Sequence, residues 1–158
     1  MRLRLLCAGQ KMPGWVSEGM DSYCKRMPRE MPVELTEIPL GKRSGRNPDI
    51  ARAVSAESRQ MLAAVRPDDR VIALEVNGQS WSTERLADHM KDWQMQGSDV
   101  VFLVGGPDGL SGECRQRAEV HWSLSPLTLP HPLVRILLAE QLYRAWSLNN
   151  NHPYHRAG

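Results

Sequence analysis

The sequence predicts an α/β fold in which a mostly parallel sheet carries helices on both of its faces. Apolar segments of strand length alternate with segments of helical periodicity along the whole chain, which is the pattern of β-α-β units. Two of these segments, "RVIALEV" and "DVVFLVGG", are almost unbroken apolar runs, as expected for strands that are covered on both sides. The chain has 158 residues without an internal repeat or linker, so we expect a single domain over residues 1–158.

The first half of the chain predicts three strands and two helices. Alternation in "RLRLL" indicates the first strand, and "MPVELTEIPL" indicates a second strand over residues 33–38. Pro13 can begin the helix between them, and Asn47 followed by Pro48 is expected to cap and begin the second helix. The third strand is "RVIALEV", and we expect "NGQSW" to turn the chain after it.

The second half predicts three helices and two strands. Ser82 is expected to cap a helix with one apolar face, and "DVVFLV" is the fourth strand. A short helix over residues 111–119 and a strand around "HWSLS" come next. A long helix from residue 132 to about residue 148 completes the domain.

The final helix is apolar on nearly all sides. A helix of this kind would be insoluble on the surface of a monomer, so its own domain and something more must bury it. A homodimer interface explains this most simply, and the alternative is a helix buried wholly inside its own domain. The apolar residues are Leu133, Val134, Ile136, Leu137, Leu138, Leu142, Tyr143 and Trp146.

Composition and charge exclude several classes of protein. The formal net charge is +2, so the chain is no polycation and would hold a nucleic acid through a local patch. The apolar stretch near the start is too short for a signal peptide, and no run approaches the length of a membrane span. Cys7, Cys24 and Cys114 form no C-x-x-C pair, so we expect reduced thiols and a cytoplasmic protein.

Two loop motifs follow predicted strands, and together with the end of the "ALEV" strand they make three strand-end loops that could line one cleft. In "FLVGGPDGL" an apolar strand ends in a glycine-rich turn, and ligands of parallel α/β sheets bind at such strand ends. The motif lacks the spacing of a dinucleotide or nucleoside triphosphate loop, and a plain strand-to-helix turn is the alternative. In "LSPLTLPHPLVR" two prolines fix a rigid loop before the final helix.

Three motifs in this order carry a resemblance to a known family. "LVGGPDGL", "LSPLTLPHPLVRILLAEQLYRAWS" and the closing "NNNHPYHR" resemble the small bacterial ribosomal RNA pseudouridine N3-methyltransferases of the SPOUT class. The similarity runs from "KMPGWV" through "EIPLGKR" and "SRQMLAAV" to the end of the chain. Two features depart from the family pattern: Glu75 stands where relatives often have Asp, and Ala157 and Gly158 follow the final Arg.

The resemblance implies a homodimer that binds S-adenosylmethionine in a C-terminal trefoil knot. Pattern alone would not predict a knot, because threaded chains are rare. The implied reaction methylates N3 of a pseudouridine in the helix 69 hairpin of 23S rRNA, on the assembled ribosome. The residues that match the family's cofactor-binding positions are Leu74, Gly105, Gly106, Ser125, Pro126, Leu127, Thr128, Leu129 and Pro130.

The last ten residues, 149–158, which we call the tail, supply the polar groups that the cofactor loops lack. The resemblance implies that the tail folds back over the cofactor and completes the site, partly across the dimer. His155 is the candidate proton acceptor or relay, and Arg156 is the candidate cation for a phosphate or the developing anion. Tyr154 could stack on the base, and Arg144 on the final helix could reach the same cleft.

The other histidines favour simpler interpretations. His152 and His155 are three residues apart, but Pro153 forbids a helix there and no Cys or acidic residue is adjacent, so we expect no metal site. His131 precedes a proline at the start of a helix and is expected to be a structural hydrogen-bonding residue.

Basic residues near the two ends of the first strand could contact a ribosomal partner. The run "GKRSGR" is either a solvated loop or a phosphate-contacting patch. The other residues of this footprint would be Arg2, Arg4, Lys11, Lys25, Arg26 and Arg29.

Two other functions compete with the one that the resemblance implies. One is a non-catalytic RNA-binding or assembly factor, and the other is a methyltransferase for a different ribosomal or transfer RNA uridine.

Overall fold

The computed structural model describes residues 1–156 and contains one five-stranded parallel sheet in the order β2-β1-β4-β3-β5. The strands are β1 (Leu3–Ala8), β2 (Val33–Ile38), β3 (Arg70–Ser80), β4 (Val100–Val104) and β5 (Val120–Ser123). The helices are α1 (Gly14–Cys24), α2 (Ile50–Ala63), α3 (Thr83–Gln96), α4 (Gly112–Arg117) and α5 (His131–Asn149), and a 3-10 turn follows over Pro153–His155. The predicted α/β class and parallel sheet are confirmed.

Helices cover both faces of the sheet, because side chains alternate in direction along each strand. On β4, Phe102 packs with Leu86 of α3 and Leu138 of α5 in one apolar cluster. The next residue, Leu103, packs with Met61 of α2 in the second cluster. The sheet is therefore buried on both faces, which explains why its central strands are continuous apolar runs.

The start of α2 differs from the sequence prediction. Asp49, and not Asn47, is the N-cap residue, and its side chain accepts a hydrogen bond of 3.0 Å from the backbone N–H of Arg52. Pro48 therefore precedes the helix and does not lie in its first turn. Either residue type can cap a helix, so the sequence allowed both starting points.

Strand β3 runs further than predicted. The chain turns out of the ladder after Leu74 and rejoins it at Gln79, and both residues pair with Trp122 of β5. Gly78 allows this detour, since an added Cβ would lie 2.7 Å from the backbone of His121. The segment that was expected to turn the chain away thus returns to the sheet as the last part of the strand.

Helix α5 is anchored by Arg135, which is 1% exposed. Its Nη1 donates to Glu37 Oε2 over 2.8 Å, and its Nη2 donates to the carbonyl of Gly9 over 3.3 Å. These bonds fix the start of α5 against the carboxyl ends of β1 and β2. The loop before α5 consequently lies at the carboxyl edge of the sheet.

The order of the strands does not show whether the chain is knotted. The trefoil knot is a property of how the chain threads, so it stays a prediction. None of the helices in residues 1–156 is long and apolar enough to cross a membrane. The tail is described as far as Arg156, and Ala157 and Gly158 lie outside the described residues.

Candidate functional site

A cavity of about 870 Å³ opens at the carboxyl ends of β3, β4 and β5. Eight of the nine residues that the sequence assigned to a cofactor line it, and Pro126 is the exception. The strand-end motifs therefore do meet in one cleft, where parallel α/β sheets bind ligands. The eight lining residues are Leu74, Gly105, Gly106, Ser125, Leu127, Thr128, Leu129 and Pro130.

The glycine turn, residues 105–109, forms one wall of this cavity. Gly109 donates its N–H to the carbonyl of Gly106 over 3.1 Å and has a φ of +76°, a conformation that glycine adopts without steric cost. A Cβ on Gly105 would lie 2.6 Å from the carbonyl carbon of Gly109. Only a chain without side chains at these positions can fold so tightly.

The loop of residues 123–130 forms the facing wall. Ser123 Oγ donates to the carbonyl of Ser125 over 2.9 Å, and Ser125 Oγ accepts the N–H of Leu127 over 3.0 Å. Pro130 is the N-cap of α5. These serine bonds and the prolines fix the loop, so backbone groups and apolar side chains face the cavity.

Glu75 is a site residue that the sequence prediction missed. It directly follows Leu74 and lines the cavity, and its two carboxylate oxygens contact Arg115 Nε and His121 Nδ1. Arg115 also lines the cavity. An acidic residue directly after an apolar strand end is the sequence signal that could have identified it.

His131 also lines the cavity. Its Nδ1 is buried and has no hydrogen-bond partner among residues 1–156, contrary to the expected structural hydrogen bond. The ring packs against Gly9, where an added Cβ would lie 3.1 Å from Cε1. Burial, and then the positive charge of Arg135, lower the pKa of His131, so the ring is neutral near pH 7.

Tail residue Tyr154 is held on the C-terminal half of α5. Its hydroxyl donates to Glu140 Oε1 over 3.0 Å, and Arg144 Nε donates to the same oxygen over 2.8 Å. The guanidinium carbon of Arg144 lies 4.9 Å from the centre of the Tyr154 ring, and that of Arg26 lies 5.7 Å from it. The structure thus joins Tyr154 and Arg144, two of the four candidate catalytic residues, through Glu140.

As far as Arg156, the tail does not cover the cavity of its own chain. Neither Arg144 nor any tail residue up to Arg156 is among the residues that line it. Arg144 is thirteen residues along α5 from His131, which corresponds to about 20 Å of helix. His155 Nδ1 instead contacts the carbonyl of His152, and Arg156 is exposed. The two predicted groups of site residues therefore occupy opposite ends of α5.

The environment of Tyr154 determines its protonation. Burial, and then the carboxylate of Glu140, raise the pKa of Tyr154 to about 12. The hydroxyl is consequently a donor at neutral pH. Burial lowers the pKa of Arg144, but the hydrogen bonds and negative charges of Glu140 and Tyr154 together raise it above its ordinary value.

The proposed basic footprint is not one surface. Arg2 and Arg4 lie at the amino end of β1, where they pair with Asp99 and Asp69 over 2.9 and 3.1 Å. Lys11 lies beyond the opposite end of the strand. An RNA contact would therefore involve a subset of these residues.

The cysteines and the histidine pairs show no redox or metal arrangement within residues 1–156. Burial raises the pKa of Cys7 to about 12 and that of Cys24 to about 11, which makes both thiols weak nucleophiles. The three cysteines are free. In the same part of the chain, no group of three or more His, Cys, Asp or Glu residues could hold a metal ion.

Comparison with known proteins places this site in context. Residues 1–155 match the family model described as "Predicted SPOUT methyltransferase". Proteins of Marinomonas sp. and Chromohalobacter salexigens, both named ribosomal RNA large subunit methyltransferase H, are 56% and 60% identical over 156 residues. These alignments cover 99% of this chain and 100% of each relative. A protein of Hahella chejuensis with the same name is 56% identical over the same length.

Solved structures share the fold at much lower identity. A probable rRNA-methyltransferase of Porphyromonas gingivalis superposes with a TM-score of 0.52 at 16% identity, covering 94% of this chain and 69% of that one. A Legionella pneumophila structure with the cofactor SAM bound superposes with a TM-score of 0.50 at 15% identity. It covers 92% of this chain and 66% of that one.

Proposed function

The chain belongs to the SPOUT methyltransferase family, and from that premise we propose that it transfers a methyl group from S-adenosylmethionine to N3 of a pseudouridine in large-subunit ribosomal RNA. The observation that carries the proposal is the cavity, because eight of nine family-matched cofactor residues line it. The names of the full-length relatives supply the class of RNA.

The cavity suits the chemical character of this cofactor. Its walls are a glycine turn and a proline-rich loop, which offer backbone carbonyls and apolar contacts, and Glu75 contributes a carboxylate at the edge. A cationic sulfonium is better accommodated here than a phosphate would be. The glycine turn and the 123–130 loop would hold the two ends of the cofactor.

The chemistry requires alignment and removal of one proton. The bound cofactor supplies an electrophilic methyl group, so the protein needs no covalent nucleophile. Holding the methyl group in line with the attacking nitrogen contributes about 7–11 kcal/mol to lowering the barrier. N3 of pseudouridine must lose its proton before or during transfer, and a general base or a nearby cation assists that loss.

The groups for this proton transfer come from the tail of a second copy of the chain. Tail residues 149–156 do not line the cavity of their own chain, so they are better placed to serve a partner's cavity. In the homodimer, His155 accepts or relays the proton and Arg156 stabilises the developing anion. Arg144 and Glu140 hold Tyr154 where its ring can stack on the base.

The substrate is the helix 69 hairpin as the assembled ribosome presents it. The net charge of +2 and the dispersed cations give this chain little affinity for free RNA. Ribosomes from a deletion strain, incubated with enzyme and cofactor, should gain one methyl group on a pseudouridine of 23S rRNA, detected by mass spectrometry. Efficient methylation of the isolated hairpin would contradict the ribosome requirement, and methylation elsewhere would identify a different uridine substrate.

Mixing two inactive variants tests the shared site. The double variant His155→Ala/Arg156→Ala keeps its cavity, whereas Gly105→Ala keeps its tail. Separately, each homodimer should lose most of its methyl transfer, and the tail variant should retain cofactor affinity. After subunit exchange, one of the two sites in each mixed dimer combines an intact cavity with an intact partner tail, so activity should return. Failure to recover activity would contradict a shared site.

A non-catalytic RNA-binding factor is the second candidate. It is favoured only by the separation of cavity and tail within one chain. Titration calorimetry with S-adenosylmethionine separates the two functions, because a protein that only docks on RNA has no need to bind this cofactor.

A further inference from the structure

Arg43, in the loop between β2 and α2, points into the protein instead of towards solvent. Its Nη1 donates to Glu57 Oε2 over 2.5 Å and to the carbonyl of Gly41 over 3.1 Å. Its Nε donates to Asp108 Oδ2 over 2.8 Å. The guanidinium is thus neutralised by two carboxylates, and it is the member of "GKRSGR" that cannot serve as a free contact for RNA phosphate.

The two carboxylates belong to different parts of the fold. Glu57 lies in α2 with 3% of its side chain exposed, and it also accepts the N–H of Gly41 over 2.8 Å. Asp108 lies in the glycine turn that lines the cavity. Arg43 therefore connects a buried anchor on a helix to the tip of this turn.

Few other contacts hold the turn. Within it, the backbone bond from Gly109 to Gly106 closes the loop. Leu40 approaches from the same β2–α2 loop, since a Cβ on Gly106 would lie 2.9 Å from Leu40 Cδ2. Among residues 1–156, Arg43 makes the one side-chain hydrogen bond that reaches the turn. Its loss would leave the turn without a polar connection to α2.

We propose that Arg43 is a positioning residue that braces the glycine turn against α2 and so keeps the cofactor cavity in its binding shape. The proposal rests on the proposed function, because the cavity is taken to hold S-adenosylmethionine. Arg43 does not line the cavity and acts through Asp108. Preorganisation of this kind raises affinity, since ligand binding no longer has to order the loop.

The variant Asp108→Asn tests the brace with little risk to the fold. It weakens the hydrogen bond from Arg43 Nε to residue 108 in the turn and leaves the Arg43–Glu57 pair intact. We expect the Kd for S-adenosylmethionine to rise about fivefold, as for a partly exposed ion pair, with an unchanged melting temperature. In the cofactor-free protein, amide hydrogen exchange in residues 105–109 should accelerate by a similar factor.

Glu119→Gln is the matched control. Glu119 pairs with Arg70 over 3.1 Å, and its side chain is 45% exposed compared with 36% for Asp108. It precedes β5 at the amino edge of the sheet, away from the cavity. Neither cofactor affinity nor exchange in the turn should change in this variant.

Variants at Arg43 itself need a compensating change. Arg43→Gln alone would leave the buried Glu57 carboxylate without its partner, which destabilises proteins strongly. The double variant Arg43→Gln/Glu57→Gln removes both charges and keeps an acceptor for the N–H of Gly41. It should reproduce the weaker cofactor binding of Asp108→Asn. Arg43→Lys should bind the cofactor more tightly than this double variant but less tightly than the unmodified protein, because one ammonium lacks the forked donors of guanidinium.

The outcomes separate this inference from the proposed function. If Asp108→Asn leaves both affinity and exchange unchanged, or accelerates exchange while affinity stays the same, Arg43 is not a positioning residue. If the unmodified protein binds no S-adenosylmethionine, the proposed function fails. Independently of that result, the role of Arg43 is overturned if Asp108→Asn does not accelerate amide exchange in residues 105–109 of the cofactor-free protein.

Discussion

Glu140 organises the contacts between the tail and helix α5. One of its oxygens accepts hydrogen bonds from both the Tyr154 hydroxyl and the Arg144 guanidinium. Because the pKa of Tyr154 is raised to about 12, the phenol cannot act as a base at neutral pH. This environment assigns proton acceptance to another group and leaves Tyr154 as an aromatic surface with a fixed orientation.

Replacement of Tyr154 by Phe tests this anchoring. The variant keeps the ring for stacking and removes the hydroxyl, and a hydrogen bond to a charged acceptor contributes about 1.5 kcal/mol or more. We therefore expect kcat on ribosomes to fall about tenfold, with the same Kd for the cofactor. Glu140→Gln keeps an acceptor and should lose less activity, and full activity of the Phe variant would contradict the anchoring role.

Two histidines make stability depend on pH. Burial, and then the positive charge of Arg85, lower the pKa of His89, and burial and Arg135 lower that of His131. Below the ordinary imidazole value of about 6.5, the unfolded chain binds protons that the folded chain excludes. Stability is therefore fully present above this pH and decreases as the pH falls through it towards the lower folded pKa.

Thermal unfolding between pH 8 and pH 5 measures this effect. The melting temperature should fall on the acid side, and the double variant His89→Gln/His131→Gln should show a shallower fall. Met95→Gln, at an exposed position of α3, serves as the control and should keep the original slope. A double variant with an unchanged slope would show that other groups are responsible.

At the scale of elements, backbone proximity at the carboxyl edge determines the cavity. The glycine turn closes on itself between Gly105 and Gly109, and the detour of β3 passes beside β5 at Gly78. Both places bring main chains closer than a Cβ permits. Substitutions there change the shape of the cavity, whereas one at an open glycine without a positive φ, such as Gly112, does not.

The substitutions Gly105→Ala and Gly112→Ala make this distinction measurable. At Gly105 the added methyl group would meet the Gly109 backbone at 2.6 Å, whereas at Gly112, in the first turn of α4, nothing lies within 4 Å. Overpacking of about 1–3 kcal/mol should lower cofactor affinity by tenfold or more in Gly105→Ala. Gly112→Ala should bind normally and gain up to about 1 kcal/mol of stability. Equal affinities in calorimetry would remove the turn from the binding site.

At the scale of the whole molecule, α5 keeps apolar side chains on the surface of a single chain. Leu133 and Leu137 are 38% and 41% exposed on one face, and Trp15 of α1, the helix that packs on α5, is 54% exposed. An exposed apolar face at the start of α5 supports the proposed homodimer, in which one interface would bring each tail to the other cavity.

Leu137→Lys tests the oligomeric state and its link to catalysis. A symmetric interface would contain the new charge twice, so dimerisation should weaken by about a hundredfold or more. Sedimentation velocity should show a monomer. This monomer should still bind the cofactor in calorimetry but should not methylate ribosomes. Met95→Lys replaces an 86% exposed residue at the end of α3 and should remain dimeric. An active Leu137→Lys monomer would rule out the shared site.

The parallel α/β fold could be predicted from residue order alone, because strands that are buried on both faces leave continuous runs of apolar residues. Residue order also predicted most of the cavity, since glycines and prolines at strand ends constrain the backbone locally. Eight of the nine residues that the family resemblance assigned to the cofactor line the cavity.

Contacts between side chains from distant parts of the chain could be identified only in the folded molecule. Arg43 lies in a basic run but turns inward to Glu57 and Asp108, and Glu75 enters the cavity beside Arg115. The structure also keeps tail residues 149–156 out of the lining of their own chain's cavity. Pairing energies depend on geometry after folding, and no local pattern of residue types encodes that geometry.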